Sequence, residues 1–553
     1  MQNLVTAQEM KAADKRTSEQ FGIDSLVLME RAALSAKEIL SKQFPRANRF
    51  LFFCGVGNNG GDGVALARML FLEQKQVEVV MVGDPARCTS SCRRQLQTAK
   101  AYGVSVYTKE TLPEDEVLQE KVEQAEIVVD ALLGVGVNRP IGEPMDRVIR
   151  AINQRQIKTK CVSLDLPTGI HTDTGEVLGT AVRADLTITF AFQKLGLVRF
   201  PGCEFAGRVQ LADAGITGES LMNPVHFTYT KREIQERMPR RTESGNKGTF
   251  GKVLIIAGSH DMAGAALLCA RGAYGVGAGM VKIVTCASNR VIVQTSLPEA
   301  MLLTYEAEDL KEVEEESGGE FDTRLADSVR WADSIVIGPG LSTGETAERL
   351  LRNTLQCLKH SLAEKTISDK VLILDADALN LISEKENLRQ LLKQCNVSTV
   401  LTPHPGELAR LTERTVETLK ADPEQETGKL RQAFDKAVLV CKDARTYVFP
   451  DLQSANPHIF VNTLGNDGMA TAGSGDVLAG ILGGICALVI RKRRRGENPA
   501  WCWETVCLGV AIHGAAGDLA AGKFGKASMR AGDIADELSE VMGGGQRDES
   551  MIK

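Results

Sequence analysis

The chain has 553 residues, 43% of them apolar and 25% charged, with a net charge of −6. That length exceeds one compact core and predicts at least two domains, while the composition excludes a largely disordered chain. The charge gives no electrostatic reason to expect nucleic-acid binding, and the opening MQNLVTAQEM lacks the apolar segment of an export signal.

In chain order, a helical arm is expected from Thr6 to Leu40, followed by a strand at Arg49–Gly55 that runs into glycines. Further β-branched runs fall at Gln76–Gly83, Ala125–Gly134, Lys160–Gly169 and Ala184–Ala191, with helix-length segments between most of them. Buried parallel strands alternating with helices predict a doubly wound α/β sheet. From about Gly218 to Gly245 the chain turns charged, and residues 221–245 are expected to be a linker or domain junction between a domain at 1–220 and another at 246–553. The strand pattern restarts at Gly251–Ser259, Ala332–Gly340, Val371–Leu379, Val397–Glu407 and Lys436–Asp443, a second doubly wound α/β domain, with Lys311–Asp322 as an acidic surface loop.

Val477–Ile490 is apolar apart from its glycines and is followed by RKRRR. A membrane span needs about 20 such residues, so a buried helix is expected here, with Arg491–Arg495 as a solvated loop. The 13 cysteines are scattered. Cys88 and Cys92 lack the further His or Cys cluster of a zinc site, so free thiols in a reducing cytoplasm are expected.

Ligands of open α/β sheets sit beyond the carboxyl ends of the strands. In the first half three motifs follow strands: GNNGGDG (57–63), VDALLGVGVNRP (129–140) and SLDLPTG (163–169). With the preceding Cys54-Gly55-Val56, the first carries a GxGxxG spacing (Gly55, Gly57, Gly60), with Glu78 near the position of a ribose-binding acid. Asn58, Asn59 and Asp62 crowd that loop, however, and Asp62 sets a carboxylate where plain pyrophosphate binding would want none. Asp130 and Asp165 add two more carboxylates, a pair suited to proton abstraction or cation binding, or each simply capping the loop after its strand.

In the second half, Gly473-Ser474-Gly475-Asp476 opens a helix. Its glycines let backbone N–H groups face an anion, the helix dipole favours one there, and Asp476 stands close enough to take a proton from an attacking hydroxyl. Asp476 could alternatively be an ordinary N-terminal cap. Asp375 and Asp377 could meet Mg²⁺ through water or cap a helix.

The motif around Asp476, together with TPHPGELARL (402–411) and GSHDMAGAALLCARGAYGVGAGMVKI (258–283), resembles the ribokinase-like superfamily and, within it, the NAD(P)H-hydrate dehydratases. The resemblance runs from about Lys247 to the C-terminus. It implies that ADP, or in some relatives ATP, with Mg²⁺, phosphorylates the S hydrate of NADH or NADPH, and that the phosphate is then eliminated. By that resemblance Asp476 is the base, and Ala265, Gly340 and His404 contact the hydrated dinucleotide. Gly475 and Lys442, Asp443, Ala444, Arg445 and Thr446 then bind the nucleotide, although relatives more often carry KG where this chain has Lys442-Asp443.

The first half, including AFQKLGL (191–197) and FPGCEFAGRV (200–209), resembles the NAD(P)H-hydrate epimerases, with a Rossmann-like three-layer α/β/α fold. That resemblance implies exchange of the R and S hydrates. Asn58, Asn59, Gly60, Gly61 and Asp62 hold substrate, as do Gly134, Val135, Gly136, Val137, Asn138, Arg139 and Pro140. Asn59, Asp130 and Thr168 coordinate potassium, and Asp165 contacts substrate and does the acid–base work. The whole is then a cytoplasmic, homo-oligomeric bifunctional enzyme of small molecules, with no nucleic-acid or membrane partner. A ribokinase-like kinase of a vitamin or sugar alcohol is one rival, and a non-catalytic first domain is another. Neither ADP against ATP nor NADH against NADPH is decided.

Overall fold

The computed structural model describes the chain apart from residues 109–114, 240, 307, 311–318, 364–369, 455–457, 497–502 and 544–553. The chain divides at His226/Phe227 into two units, the second of which also takes in Met1.

In the first unit the expected arm is two helices, Ala7–Glu19 and Ser25–Gln43. Thr6 and Glu9 form a capping box at the start of the first, and Gly22, at φ 75°, turns the chain between them. The sheet runs, edge to edge, Ser105–Tyr107, Gln76–Met81, Arg49–Cys54, Ile127–Ala131, Lys160–Leu164, Leu186–Phe190 and Arg208–Ala212. Every pairing in it is parallel. In chain order this is 3-2-1-4-5-6 with one more strand at the edge, the order of the dinucleotide-binding fold, whose crevice opens between strands 1 and 4. Apolar side chains cover both faces. Phe52, Val79 and Val129 belong to one cluster, and Leu51, Val80 and Val128 to the other. Such two-sided burial makes the strands read as unbroken apolar runs.

The second unit's sheet runs Met301–Tyr305, Met280–Cys286, Lys252–Ile256, Ser334–Ile337, Val371–Leu374, Ser398–Leu401 and Ala437–Cys441 in parallel. Two antiparallel strands, Tyr447–Phe449 and Ile459–Val461, follow. His226–Thr228 lies beside the last of these. The expected polar junction therefore holds ordered structure. Phe227, Tyr229 and Ile234 are buried in the core, and Lys231–Arg237 is a helix with its own Thr230/Glu233 capping box. Alternating charged residues hid a single inward face.

The apolar stretch after Asp476 is the middle of a longer helix, Ser474–Arg494, buried from Val477 to Ile490. It and Trp503–Phe524 are each long and apolar enough to cross a membrane, and both are largely buried inside the protein. Gly480 lets the first of them touch helix Ala263–Gly275: a Cβ there would stand 1.8 Å from the Cys269 carbonyl oxygen. The solvated loop expected at Arg491–Arg495 is instead the last turn of this helix. Arg491 and Arg494 each pair at 2.6 Å with the fully buried Asp333, which also accepts the Lys252 N–H at 2.9 Å. A buried carboxylate needs such partners. Of the expected acidic loop, 311–318 lies outside the described residues, and Glu320–Trp331 is a helix whose Phe321 is buried.

Candidate active sites

In the first unit, Gly57 precedes helix Asn58–Leu72, which starts at the carboxyl end of the Arg49–Cys54 strand. Glycine is required at 60, where a Cβ would lie 1.8 Å from the Gly55 carbonyl oxygen. Beside this turn opens a cavity of about 1130 Å³, lined by Asn58, Asn59, Asp62, Gly134 to Pro140, and Asp165. Three separate motifs of the sequence thus converge on one space, as their places after strands implied. Gly60 and Gly61 serve the turn without lining the cavity.

Asp165 sits at φ 69°, a left-handed conformation uncommon for a residue with a side chain. Its Oδ1 is 2.5 Å from the Lys194 Nζ, and its Oδ2 accepts the Val135 N–H at 3.2 Å. Lys194 is 0% exposed and also donates to the Thr189 hydroxyl at 3.0 Å and the Phe190 carbonyl at 2.8 Å. Its three N–H donors are all used inside the protein. Asp62 faces the same cavity without a hydrogen-bond or ion-pair partner among the described residues. Burial, then the neighbouring Asp165 and Asp14, push its carboxyl well above the usual carboxylate range, against a smaller opposing pull from Lys194. The cavity thus holds one carboxyl whose ionised form is disfavoured beside one paired with an ammonium group.

Asp130 is fully buried beneath the cavity. It accepts from the Thr168 hydroxyl (2.6 Å) and N–H (2.9 Å), the Ser163 hydroxyl (2.8 Å) and the Leu132 N–H (3.3 Å). Burial still raises its pKa, with these donors opposing the rise. Nearby, the Asn59 side chain is 9% exposed, and both its amide atoms lack a partner. An orphaned amide, a buried carboxylate with no ion pair among the described residues and a threonine hydroxyl fit a monovalent cation of the kind the resemblance implies. Glu78 is not part of this site: it pairs with Lys121 at 2.7 Å partway along its strand, short of the carboxyl end where ligands sit.

In the second unit, Gly473, at φ 88°, starts helix Ser474–Arg494, and Asp476 lies in the first turn. The Ser474 hydroxyl is 3.3 Å from the Nε2 of His513, whose burial lowers its pKa to about 4 and keeps the ring neutral. Lys442 follows the Ala437–Cys441 strand, and its Nζ is 2.5 Å from the Asp375 Oδ1, which also accepts the Thr402 hydroxyl at 2.7 Å. That Nζ would be 3.5 Å from a Cβ at Gly475. Asp476 is pushed up to about 7, chiefly by burial and next by Asp375, with Lys442 opposing. A carboxyl poised there suits a general base.

Gly340, at φ 58°, abuts Ala265: a Cβ on the glycine would lie 2.7 Å from that of the alanine. His404 caps helix Pro405–Thr412. Its Nδ1 accepts the Gly406 N–H at 3.0 Å and its Nε2 lies 3.2 Å from the Glu407 Oε1, so only its half-exposed ring face and edges are left for a ligand. Burial, then Lys442 and Arg410, lower its pKa. Asp443 accepts the Ala444 N–H at 2.8 Å and pairs with Lys420 at 3.3 Å, while the Arg445 guanidinium bonds the Ala444 carbonyl at 3.3 Å. Thr446 comes just before strand Tyr447–Phe449. Asp375, engaged by Lys442, is no free metal ligand, and no cluster of three His, Cys, Asp or Glu side chains exists among the described residues. Magnesium fits here only as a companion of nucleotide phosphates, which is its usual mode. Lys194, Asp375 and His513 are the residues that sequence reasoning did not select. Lys194 lies inside the AFQKLGL motif and Asp375 reads as a magnesium contact or helix cap, but the sequence assigns neither a role at its centre.

Two α/β units, one with a dinucleotide-type crevice rich in carboxyls and one with a glycine-opened helix bearing a base, define a two-centre enzyme of nucleotide-like small molecules. The family models agree. Residues 25–196 match the YjeF-related protein N-terminus and residues 253–540 match NAD(P)H-hydrate dehydratase. The bifunctional NAD(P)H-hydrate repair enzyme Nnr of Moorella thermoacetica is 35% identical over 549 residues, covering 98% of this chain and 96% of its own. That of Coxiella burnetii is 33% identical over 529 residues, covering 95% and 96%. The ADP/ATP-dependent NAD(P)H-hydrate dehydratase of Bacillus subtilis, co-crystallised with ATP/Mg²⁺, is 26% identical with a TM-score of 0.43, over 57% of this chain and 97% of that one. The chain belongs to the family of bifunctional NAD(P)H-hydrate repair enzymes. Its activities are those of an NAD(P)H-hydrate epimerase and an NAD(P)H-hydrate dehydratase.

Proposed function

We propose that Asp476 is the base of the dehydratase, that ADP is its phosphoryl donor, and that Asp165 and Asp62 move the protons of the epimerase. The observation that carries the first assignment is a carboxyl with a pKa of about 7 in the first turn of a helix opened by Gly473 and Gly475. Asp476 takes the proton of the C6 hydroxyl as that oxygen attacks the terminal phosphorus of ADP, and the bond to AMP breaks. The backbone N–H groups of the helix start and the Lys442 ammonium, 2.5 Å from Asp375 and close to Gly475, balance the charge on the transferred group. Phosphate then leaves C6, pushed by the ring nitrogen lone pair, and loss of the C5 proton restores the dihydronicotinamide. Gly340, Ala265 and the His404 ring shape the wall for that ring. Magnesium, carried with the nucleotide, neutralises phosphate charge when bound.

In the first unit the C6 hydroxyl leaves as water, protonated by one carboxyl, and water returns to the opposite face of the ring while the other carboxyl takes its proton. Asp62, whose pKa is raised by burial and by its carboxylate neighbours, and Asp165, paired with Lys194, supply the acid and the base such an inversion needs. Asn59, Asp130 and Thr168 would hold potassium, which supplies positive charge beside the substrate when bound.

The test mixes the enzyme with both hydrates and ADP and tracks dihydronicotinamide absorbance. Full recovery is expected. Recovery that halts with the R hydrate left over removes the epimerase assignment, and no recovery with ADP removes the donor assignment.

A further inference from the structure

We propose that the first unit binds its dinucleotide with the adenosine ribose over the turn Asp84–Arg87, where Asp84 takes a ribose hydroxyl and Arg87 reads the 2′-phosphate that distinguishes NADPH hydrate from NADH hydrate. This inference rests on the epimerase reading and adds to it a direction of binding and a specificity pair.

The direction comes from the sheet. The crevice opens between strands Arg49–Cys54 and Ile127–Ala131, where the strand order reverses. Asp165 and Lys194 lie after the two strands on one side of it, Lys160–Leu164 and Leu186–Phe190, so the reacting ring belongs there. The diphosphate is left for the glycine turn and helix start at Asn58, where the raised pKa of Asp62 lessens the repulsion an ionised carboxylate would bring, and this puts the adenosine half over the other side, beyond strand Gln76–Met81. That strand leads into Val82-Gly83-Asp84 and the short turn Pro85–Arg87. Asp84 and Arg87 line the same cavity as Asp165.

This turn is built to hold its place. The Thr89 N–H donates to the Val56 carbonyl at 3.1 Å and the Thr89 hydroxyl to the Asn58 side chain at 2.8 Å, which fastens the turn to the glycine loop. The Arg93 guanidinium bonds the Ala86 and Cys88 carbonyls at 2.9 and 3.2 Å. Asp84 Oδ1 accepts the Ala86 N–H at 3.0 Å, and its Oδ2 has no partner among the described residues. The Arg87 side chain is exposed and, among the described residues, makes neither a hydrogen bond nor an ion pair. A fixed carboxylate oxygen accepts from a ribose hydroxyl but repels a 2′-phosphate. An uncommitted guanidinium three residues on reverses that penalty, because it matches phosphate in charge and in bidentate geometry. The pair accounts for a site that takes both dinucleotides.

The two side chains therefore push specificity in opposite directions. The measurement is kcat/KM for R-to-S conversion of NADPH hydrate divided by that for NADH hydrate. Arg87→Ala and the closer-sized Arg87→Gln are expected to lower this ratio about tenfold, by less at high salt, where an exposed pair is screened. Asp84→Asn is expected to raise it severalfold. The hydrate of reduced nicotinamide mononucleotide, which lacks the adenosine half, serves as the reference substrate. A ratio unmoved by both Arg87 variants, or moved the same way by Asp84→Asn, overturns the proposal. Failure of the epimerase reading shows differently, as absence of R/S exchange in the wild-type enzyme with any hydrate.

Discussion

A carboxyl with a pKa of about 7 ties activity and stability to pH in opposite senses. Asp476 accepts a proton only when ionised, so kcat/KM for dehydration of the S hydrate should rise with pH up to about 7 and level off above it. Because its folded pKa lies above its ordinary 3.8, the folded state binds the proton more tightly than the unfolded one. That contribution to stability is full below pH 3.8 and is lost as pH rises through about 7. Asp476→Asn should remove the pH limb, lower the dehydration rate by about 10²–10⁴-fold, and raise the unfolding temperature at pH 8. R/S exchange should persist in the same protein. At the other centre, Lys194→Met removes the only cation paired with Asp165 among the described residues. R-to-S conversion should fall by about 10²-fold or more, read by chiral separation of the hydrates, while dehydration of pure S hydrate continues.

At the scale of elements, the Ser474–Arg494 helix shows why glycine recurs inside an otherwise helix-favouring apolar run. Gly480 presses against the Cys269 carbonyl, and at Gly272 on the facing helix a Cβ would lie 2.4 Å from the Val477 carbonyl oxygen. Such an approach excludes even a methyl group. Gly480→Ala should cost about 1–3 kcal/mol of overpacking strain, seen as a lower denaturant midpoint for the second unit together with loss of dehydration. Most of the parallel strands were legible because each is an unbroken apolar run, as Val371–Leu374 and Ala437–Cys441 are. The short ones were not: Tyr447–Phe449 and His226–Thr228 have too few residues for a period to register. Met280–Cys286 was hidden because the glycine-rich segment before it absorbed the start of its run. The site was legible where its residues cluster in sequence, as in GNNGGDG. It was not where a single side chain arrives alone, as Lys194 does, 29 residues after Asp165 and linked to it only through the sheet. Arg491 and Arg494 were misread for a related reason: a basic run signals solvent unless the acid that draws two of its members inward, Asp333, is known to lie across the fold.

For the molecule as a whole, each centre is composed of side chains from one unit alone: Asp62, Asp130, Asp165 and Lys194 from the first, Asp375, Lys442 and Asp476 from the second. The two activities should therefore be separable by point mutation. An Asp165→Asn protein should leave the R hydrate behind, and an Asp476→Asn protein should repair nothing while still exchanging R and S. Mixed together, the two variants should restore complete recovery of dihydronicotinamide absorbance. Incomplete recovery in the mixture would mean that the hydrate must pass within one chain.

The pairing of Asp333 with Arg491 and Arg494 has a mechanical consequence. A 21-residue helix is about 30 Å long, and this one is pinned to the sheet at its far end by two guanidinium groups around a carboxylate. Its other end, where the proposed function places phosphate, cannot advance or retreat along the axis without straining that clamp. The helix is a strut, and Asp476 rides on a fixed tip. On the proposed function, closing of the dehydratase centre around nucleotide and hydrate is then expected to move the ligands toward Asp476 rather than Asp476 toward the ligands.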